Sequence, residues 1–174
     1  MRSLALVVAV LVGLWLLRQS LTNSSVDFPT WGNPPEAPNT TGHVLPADVD
    51  AYVQQYASAY GLDPNLIRAQ AWAESRGKQS AVSKAGAIGV MQLMPGTASD
   101  LGVDPYDTEQ NVAGGTRFMA DLLAQFGDYA KALAAYNWGP GRVARAGDSW
   151  YSVAPKETQD YVNDVLMNAG YWPA

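Results

Sequence analysis

Apolar positions along the chain fall into three regimes. Leu4–Leu17 (LALVVAVLVGLWLL) is uninterrupted apolar, bounded by Arg2 and Arg18. Thr22–Pro46 is rich in Asn, Ser, Thr and Gly and carries Pro29, Pro34, Pro35, Pro38 and Pro46. From Asp48 onward the apolar residues recur every three or four positions, the spacing of helical faces. Val49, Tyr52, Val53 and Tyr56 predict a first amphipathic helix that ends before Gly61. Asp63-Pro64 then supplies an N-cap acceptor and a proline suited to the first helical position. Ile67, Gln70, Ala71 and Glu74 follow at i, i+3, i+4, i+7, and Leu66, Ala69, Trp72 and Ala73 widen that face into a nearly all-round apolar helix that stops near Gly77.

Ser75 to Gly89 reads as a loop in which Gly77, Gly86 and Gly89 let backbone approach a ligand. Val90–Met94 is a short apolar run, and Pro95 opens another short helix. Asp107-Thr-Glu-Gln resembles a capping box for a longer helix with Val112, Met119, Leu122, Leu123 and Phe126 on its face. Asp128 caps a helix over Tyr129–Tyr136, which Asn137-Trp-Gly-Pro-Gly breaks sharply, and a last helix lies near Lys156–Asn168. Strand signals are weak throughout. The pattern predicts a mainly α, compact domain of roughly 125 residues.

The apolar N-terminus changes the picture of where this domain works. Fourteen residues suit the apolar part of a secretory signal and are short for a membrane span. No small-residue cleavage site follows, however, and Arg18 can snorkel to the headgroups and stretch a short span. This favours an uncleaved anchor, with a cleaved signal as the alternative. The expected organisation is therefore 1–21 as transmembrane anchor or signal segment, 22–46 as a flexible Pro-rich linker, and 47–174 as the functional domain.

Composition narrows the chemistry. With 48% hydrophobic and 16% charged residues the chain can build a core. A net charge of −5 argues against nucleic-acid binding. There is no cysteine, and one histidine, His43, lies outside the predicted domain, so thiol chemistry, a His-based triad and a metal centre are not expected. Glu74 is the acid that stands out. It ends an apolar helix, where desolvation and the negative end of the helix dipole both raise its pKa, and a carboxyl protonated near neutral pH suits general-acid work. The plainer alternative is a solvated helix-end glutamate paired with Arg76 or Lys78.

Four segments decide between those readings: Ala73-Glu74-Ser75, Gly89-Val-Met-Gln-Leu-Met-Pro95, Ala135-Tyr-Asn-Trp-Gly-Pro-Gly141 and Pro155-Lys-Glu-Thr-Gln-Asp-Tyr-Val162. In this order and spacing they resemble the soluble-lytic-transglycosylase family, relatives of goose-type lysozyme with a lysozyme-like fold, over roughly Asp48 to Tyr171. The resemblance implies cleavage of the N-acetylmuramic acid–N-acetylglucosamine bond of peptidoglycan with a 1,6-anhydro product. It implies Glu74 as the single catalytic acid/base and Tyr136 as a tyrosine hydrogen-bonded to it. Ser75, Met91, Gln92, Asn137, Glu157 and Tyr161 match groove residues that bind or support the substrate. No metal and no cofactor are implied. Partners would be glycan strands, the membrane through the N-terminal segment, and proteins of a virion or of a secretion or conjugation complex. The domain would face the wall in the periplasm, or sit on a virion membrane. A hydrolytic lysozyme on the same fold, and a silent structural component of an envelope-spanning machine, are the alternatives.

Overall fold

The computed structural model describes residues 43–171. The apolar run Leu4–Leu17 and the linker up to residue 42 lie outside them; among the described residues no helix is long and apolar enough to cross a membrane. Helix α1 (Ala47–Tyr60) ends on a left-handed Gly61, and α2 (Pro64–Ser75) begins where the Asp63 carboxylate accepts from the Asn65 N–H. After a long loop come α3 (Pro95–Leu101), α4 (Thr108–Phe126) and α5 (Tyr129–Trp138). The Gly139-Pro140 break leads into α6 (Pro140–Ala146), a 3₁₀ turn (Gly147–Ser149), α7 (Trp150–Val153) and α8 (Lys156–Asn168).

The packing runs as a closed ring: α1 on α4, α4 on α5, α5 on α8, α8 on α2, and α2 back on α1. Apolar stripes of all five helices meet inside it, with Val53, Leu66, Ile67, Val112, Met119, Leu133 and Val165 buried. The face of α2 read from the sequence is the one that packs. Ile67, Gln70 and Ala71 are buried, whereas Ala73 is exposed and Arg68 turns out to pair with Asp50 on α1 at 2.6 Å. The helix stops one residue before Gly77, on Arg76 in the left-handed conformation (φ 57°).

Two local expectations are corrected, one by hydrogen-bond partners and one by packing. The capping box at Asp107 is half made. Asp107 accepts from the Gln110 N–H at 2.8 Å, but the Gln110 side chain accepts from Asp104 N–H, which draws the preceding turn onto the helix start. His43 also packs on the domain, stacking on Trp72 of α2 with ring centroids 4.6 Å apart, while Leu45 is 5% exposed in the core. Short α6, the 3₁₀ turn and α7 had no periodic signal in the sequence, being under two turns each.

Candidate active site

Glu74 sits in the last turn of α2, half-buried, where the ring brings α8 alongside. Its Oε1 accepts a hydrogen bond from the Tyr161 hydroxyl at 2.7 Å. Burial raises the Glu74 pKa from 4.5 to about 7, against the opposing pull of the Tyr161 hydrogen bond, which favours the carboxylate. Burial, and then the nearby Glu74 charge, hold the Tyr161 and Tyr136 hydroxyls well above the ordinary phenol range, so both stay neutral donors. Glu74, Tyr136 and Tyr161 thus form one cluster from α2, α5 and α8.

The hydrogen bond expected from Tyr136 to the carboxylate is made by Tyr161 instead. The Tyr136 hydroxyl has a single proton and donates it to the Met91 carbonyl at 2.8 Å. The reason lies in the loop that carries Met91. Isolated bridges and turn bonds hold the backbone at Ile88, Gly89, Gln92 and Leu93, but Val90 and Met91 have no backbone partners there and take side chains instead. Val90 N–H donates to Gln79 Oε1 (3.3 Å) and Val90 C=O accepts from Ser75 Oγ (2.8 Å). Met91 N–H donates to Asn111 Oδ1 (2.8 Å), and its C=O takes Tyr136. Asn111, fully buried, also donates to Ile88 and Pro105 carbonyls, each at 2.9 Å. Gly115 completes the fit, since a Cβ there would collide with the Met91 side chain and stand 3.1 Å from the Tyr136 hydroxyl.

Several residues expected to bind substrate therefore have structural partners. Ser75 Oγ is used by Val90 C=O and by the Lys78 N–H (3.0 Å). Met91 is completely buried, a wall rather than a surface contact. Gln92, held at φ 47°, spends its Nε2 on Gly89 and Ala81 carbonyls (2.9 and 3.2 Å), leaving Oε1 as its acceptor. Asn137 is exposed beside Tyr136, its Oδ1 accepting from the buried Thr158 hydroxyl (2.8 Å), with its amide N–H groups open to a ligand. Glu157 is exposed in the first turn of α8, where a carboxylate favours the helix dipole, one turn ahead of Tyr161 on the same face. Asn111, Gln79 and Thr158 were missed from sequence; an Asn beside Val112 in the apolar stripe of α4 was the one available signal. Among the described residues no three His, Cys, Asp or Glu side chains gather as a metal site would require.

Residues 51–159 match the family model of the transglycosylase SLT domain. The chain belongs to that family. It is 40% identical to a transglycosylase of Enterobacteria phage PRD1 over 113 residues, 64% of this chain and 39% of that protein. It is 33% identical to the peptidoglycan transglycosylase of Escherichia phage T7 over 136 residues, 70% of this chain and 10% of that one. The 70 kDa soluble lytic transglycosylase of Escherichia coli superposes with a TM-score of 0.63 at 31% identity, covering 70% of this chain and 23% of that one. A 70-kDa soluble lytic transglycosylase in complex with bulgecin A gives 0.64 at 30%, again covering 70% of this chain and 23% of that one. The chain spans well under half the length of each. The mainly helical, lysozyme-like SLT fold is thereby the fold of residues 51–159, and the ring of helices is its local expression.

Proposed function

We propose that this SLT domain is a peptidoglycan lytic transglycosylase that uses Glu74 as its only acid/base. The observation that carries the proposal is a half-buried carboxyl that burial raises to a pKa of about 7 against the pull of a single tyrosine hydrogen bond. Protonated Glu74 donates to the oxygen between muramic C1 and the adjoining glucosamine; that C1–O bond breaks and the glucosamine end leaves as an alcohol. The muramic C6 hydroxyl then attacks C1 and returns its proton to the Glu74 carboxylate, closing the 1,6-anhydro ring without consuming water. An internal nucleophile has a high effective concentration, so a second carboxylate to activate water is not needed. The next acids along the chain are otherwise engaged or solvated: Asp104 accepts from Tyr106 N–H, Asp107 caps α4, and Asp100 is exposed.

In this reading Tyr161 steadies the carboxylate after it has given up its proton, while Tyr136 and Ser75 hold the Met91 loop as the opposite wall. Gln92 Oε1 and the Asn137 amide are the groups with open capacity for N-acetyl substituents, and Glu157 supports Tyr161. The apolar run Leu4–Leu17 would tether the domain through the 22–46 linker, keeping cleavage close to a membrane in a cell envelope or virion. The resemblance to two phage enzymes supports a role in local opening of the wall.

Mass spectrometry of digested peptidoglycan tests the chemistry: anhydro-muramic ends are expected, and reducing ends would mean that water is the nucleophile, as in a lysozyme. N-terminal sequencing of membrane-recovered protein tests the tether; a chain beginning between Ser20 and Val26 would mean a cleaved signal.

A further inference from the structure

Gln70 lies one turn before Glu74 on the same face of α2 and is completely shielded from solvent. Among the described residues neither of its amide atoms has a hydrogen-bond partner. A buried amide in that state is costly, and a methionine or leucine of similar size would relieve the cost. The amide nevertheless faces something polar. The helix that carries it packs on α8, the helix of Tyr161, and while burial raises the Tyr161 pKa, the Gln70 amide pulls it the other way. Tyr161 in turn donates to Glu74 at 2.7 Å.

We propose that Gln70 is a positioning residue that acts on Glu74 through Tyr161. When Glu74 is protonated, Tyr161 needs little from behind. When Glu74 has given its proton away, the Tyr161 hydroxyl is pulled toward the carboxylate, and an N–H closing on its oxygen strengthens that donation. The orphaned amide is thus reserved for the anionic half of the cycle. The ionisable groups facing Glu74 are Tyr161 from α8 and Tyr136 from α5; Tyr136 is committed to the Met91 carbonyl. The nearest cation on α2, Arg68, is paired with Asp50 on α1. Gln70 is a buried polar group of α2 left free to respond.

The inference rests on Glu74 being the acid/base, and its test includes a readout that does not. In Gln70→Met, the Glu74 titration midpoint, followed by carbon NMR of the side-chain carboxyl without substrate, should rise by about half a unit to one unit. The alkaline limb of the peptidoglycan-cleavage profile should move up with it, and kcat should fall about three- to tenfold with KM unchanged. The thermal midpoint should be equal or higher, because an unpaired buried amide has been removed. In a Tyr161→Phe background the same substitution should leave the Glu74 midpoint where Tyr161→Phe alone puts it. Gln70→Leu gives the same readings should the methionine variant fold poorly. An unchanged Glu74 midpoint in Gln70→Met, or an equal shift in the Tyr161→Phe background, overturns the proposal. Full activity in Glu74→Gln would instead refute the catalytic reading, leaving the titration result to stand by itself.

Discussion

Two primary amides, Asn111 and Gln70, are completely buried in this domain, and they serve opposite purposes. Asn111 on α4 makes three hydrogen bonds to the backbone of two loop segments. Gln70 on α2 makes none among the described residues. Around Asn111 the groove wall is a loop whose backbone is fixed by side chains, so polar capacity is spent on shape. Around Gln70 and Glu74 the wall is two helices that satisfy their own backbones, so side-chain capacity remains for chemistry. Under the proposed function, the work divides this way: one wall is rigid because its donors are used up, the other reactive because they are not.

The division can be broken first at the reactive wall. Glu74→Gln keeps shape and removes the transferable proton, so cleavage of purified peptidoglycan, followed by turbidity, should fall ~10²–10⁴-fold with the fold retained. In the wild type, activity should decline as pH rises through about 7, where the acid loses its proton. Rates within threefold of wild type in the variant would end the assignment.

The rigid wall should fail in stability. Asn111→Leu leaves the Met91 N–H and the Ile88 and Pro105 carbonyls without their partner, and about 3 kcal/mol or more should be lost in denaturant unfolding. A loss below 1 kcal/mol would mean that the loop is held by other means. Gln70→Met, by contrast, should show no loss, which is the comparison in its sharpest form.

Glu74→Gln also has a stability signature whose sign follows from the raised pKa. A carboxyl at about 7 when folded and 4.5 when unfolded binds its proton more tightly in the folded state. That contribution is complete below about 4.5 and is lost as pH rises through about 7. Gln has no proton to lose, so the variant should match wild type at pH 5 and exceed it at pH 8 by on the order of 2–3 kcal/mol. Thermal melts at the two pH values measure it; equal differences at both would show that Glu74 is not desolvated in solution.

How much of this was legible follows the same division. Helices α1, α2, α4, α5 and α8 were readable because each carries an apolar stripe at helical spacing and a marked start or stop, such as Asp63-Pro64, Asp128 or Gly61. Glu74 was readable because an acid closing an apolar helix is conspicuous. The loop wall was not, since its order comes from contacts between residues far apart in sequence: Ser75 with Val90, Asn111 with Met91, Tyr136 with Met91. Motif matching put Tyr136 beside the carboxylate, but which tyrosine donates to it depends on a carbonyl that only the folded loop presents. Gln70 was visible on the α2 face as one more helical position, and nothing in the spacing distinguished it from a packing residue.

The smallest effect separates the two tyrosines. Tyr161→Phe removes the hydrogen bond that lowers the Glu74 pKa, so the alkaline limb of the pH–rate profile should move upward. Tyr136→Phe removes a donor from the Met91 carbonyl and leaves that bond to Glu74 intact. It should cost about 1 kcal/mol in unfolding free energy, or up to about 3 if the carbonyl is left dry. The pH–rate profile should keep its midpoint, with a modest fall in kcat from a less firmly held Met91 loop. The two profiles measured side by side decide the matter. If Tyr136→Phe moves the midpoint and Tyr161→Phe does not, the hydroxyls exchange partners once substrate is bound, and the Met91 loop is part of the reactive wall after all.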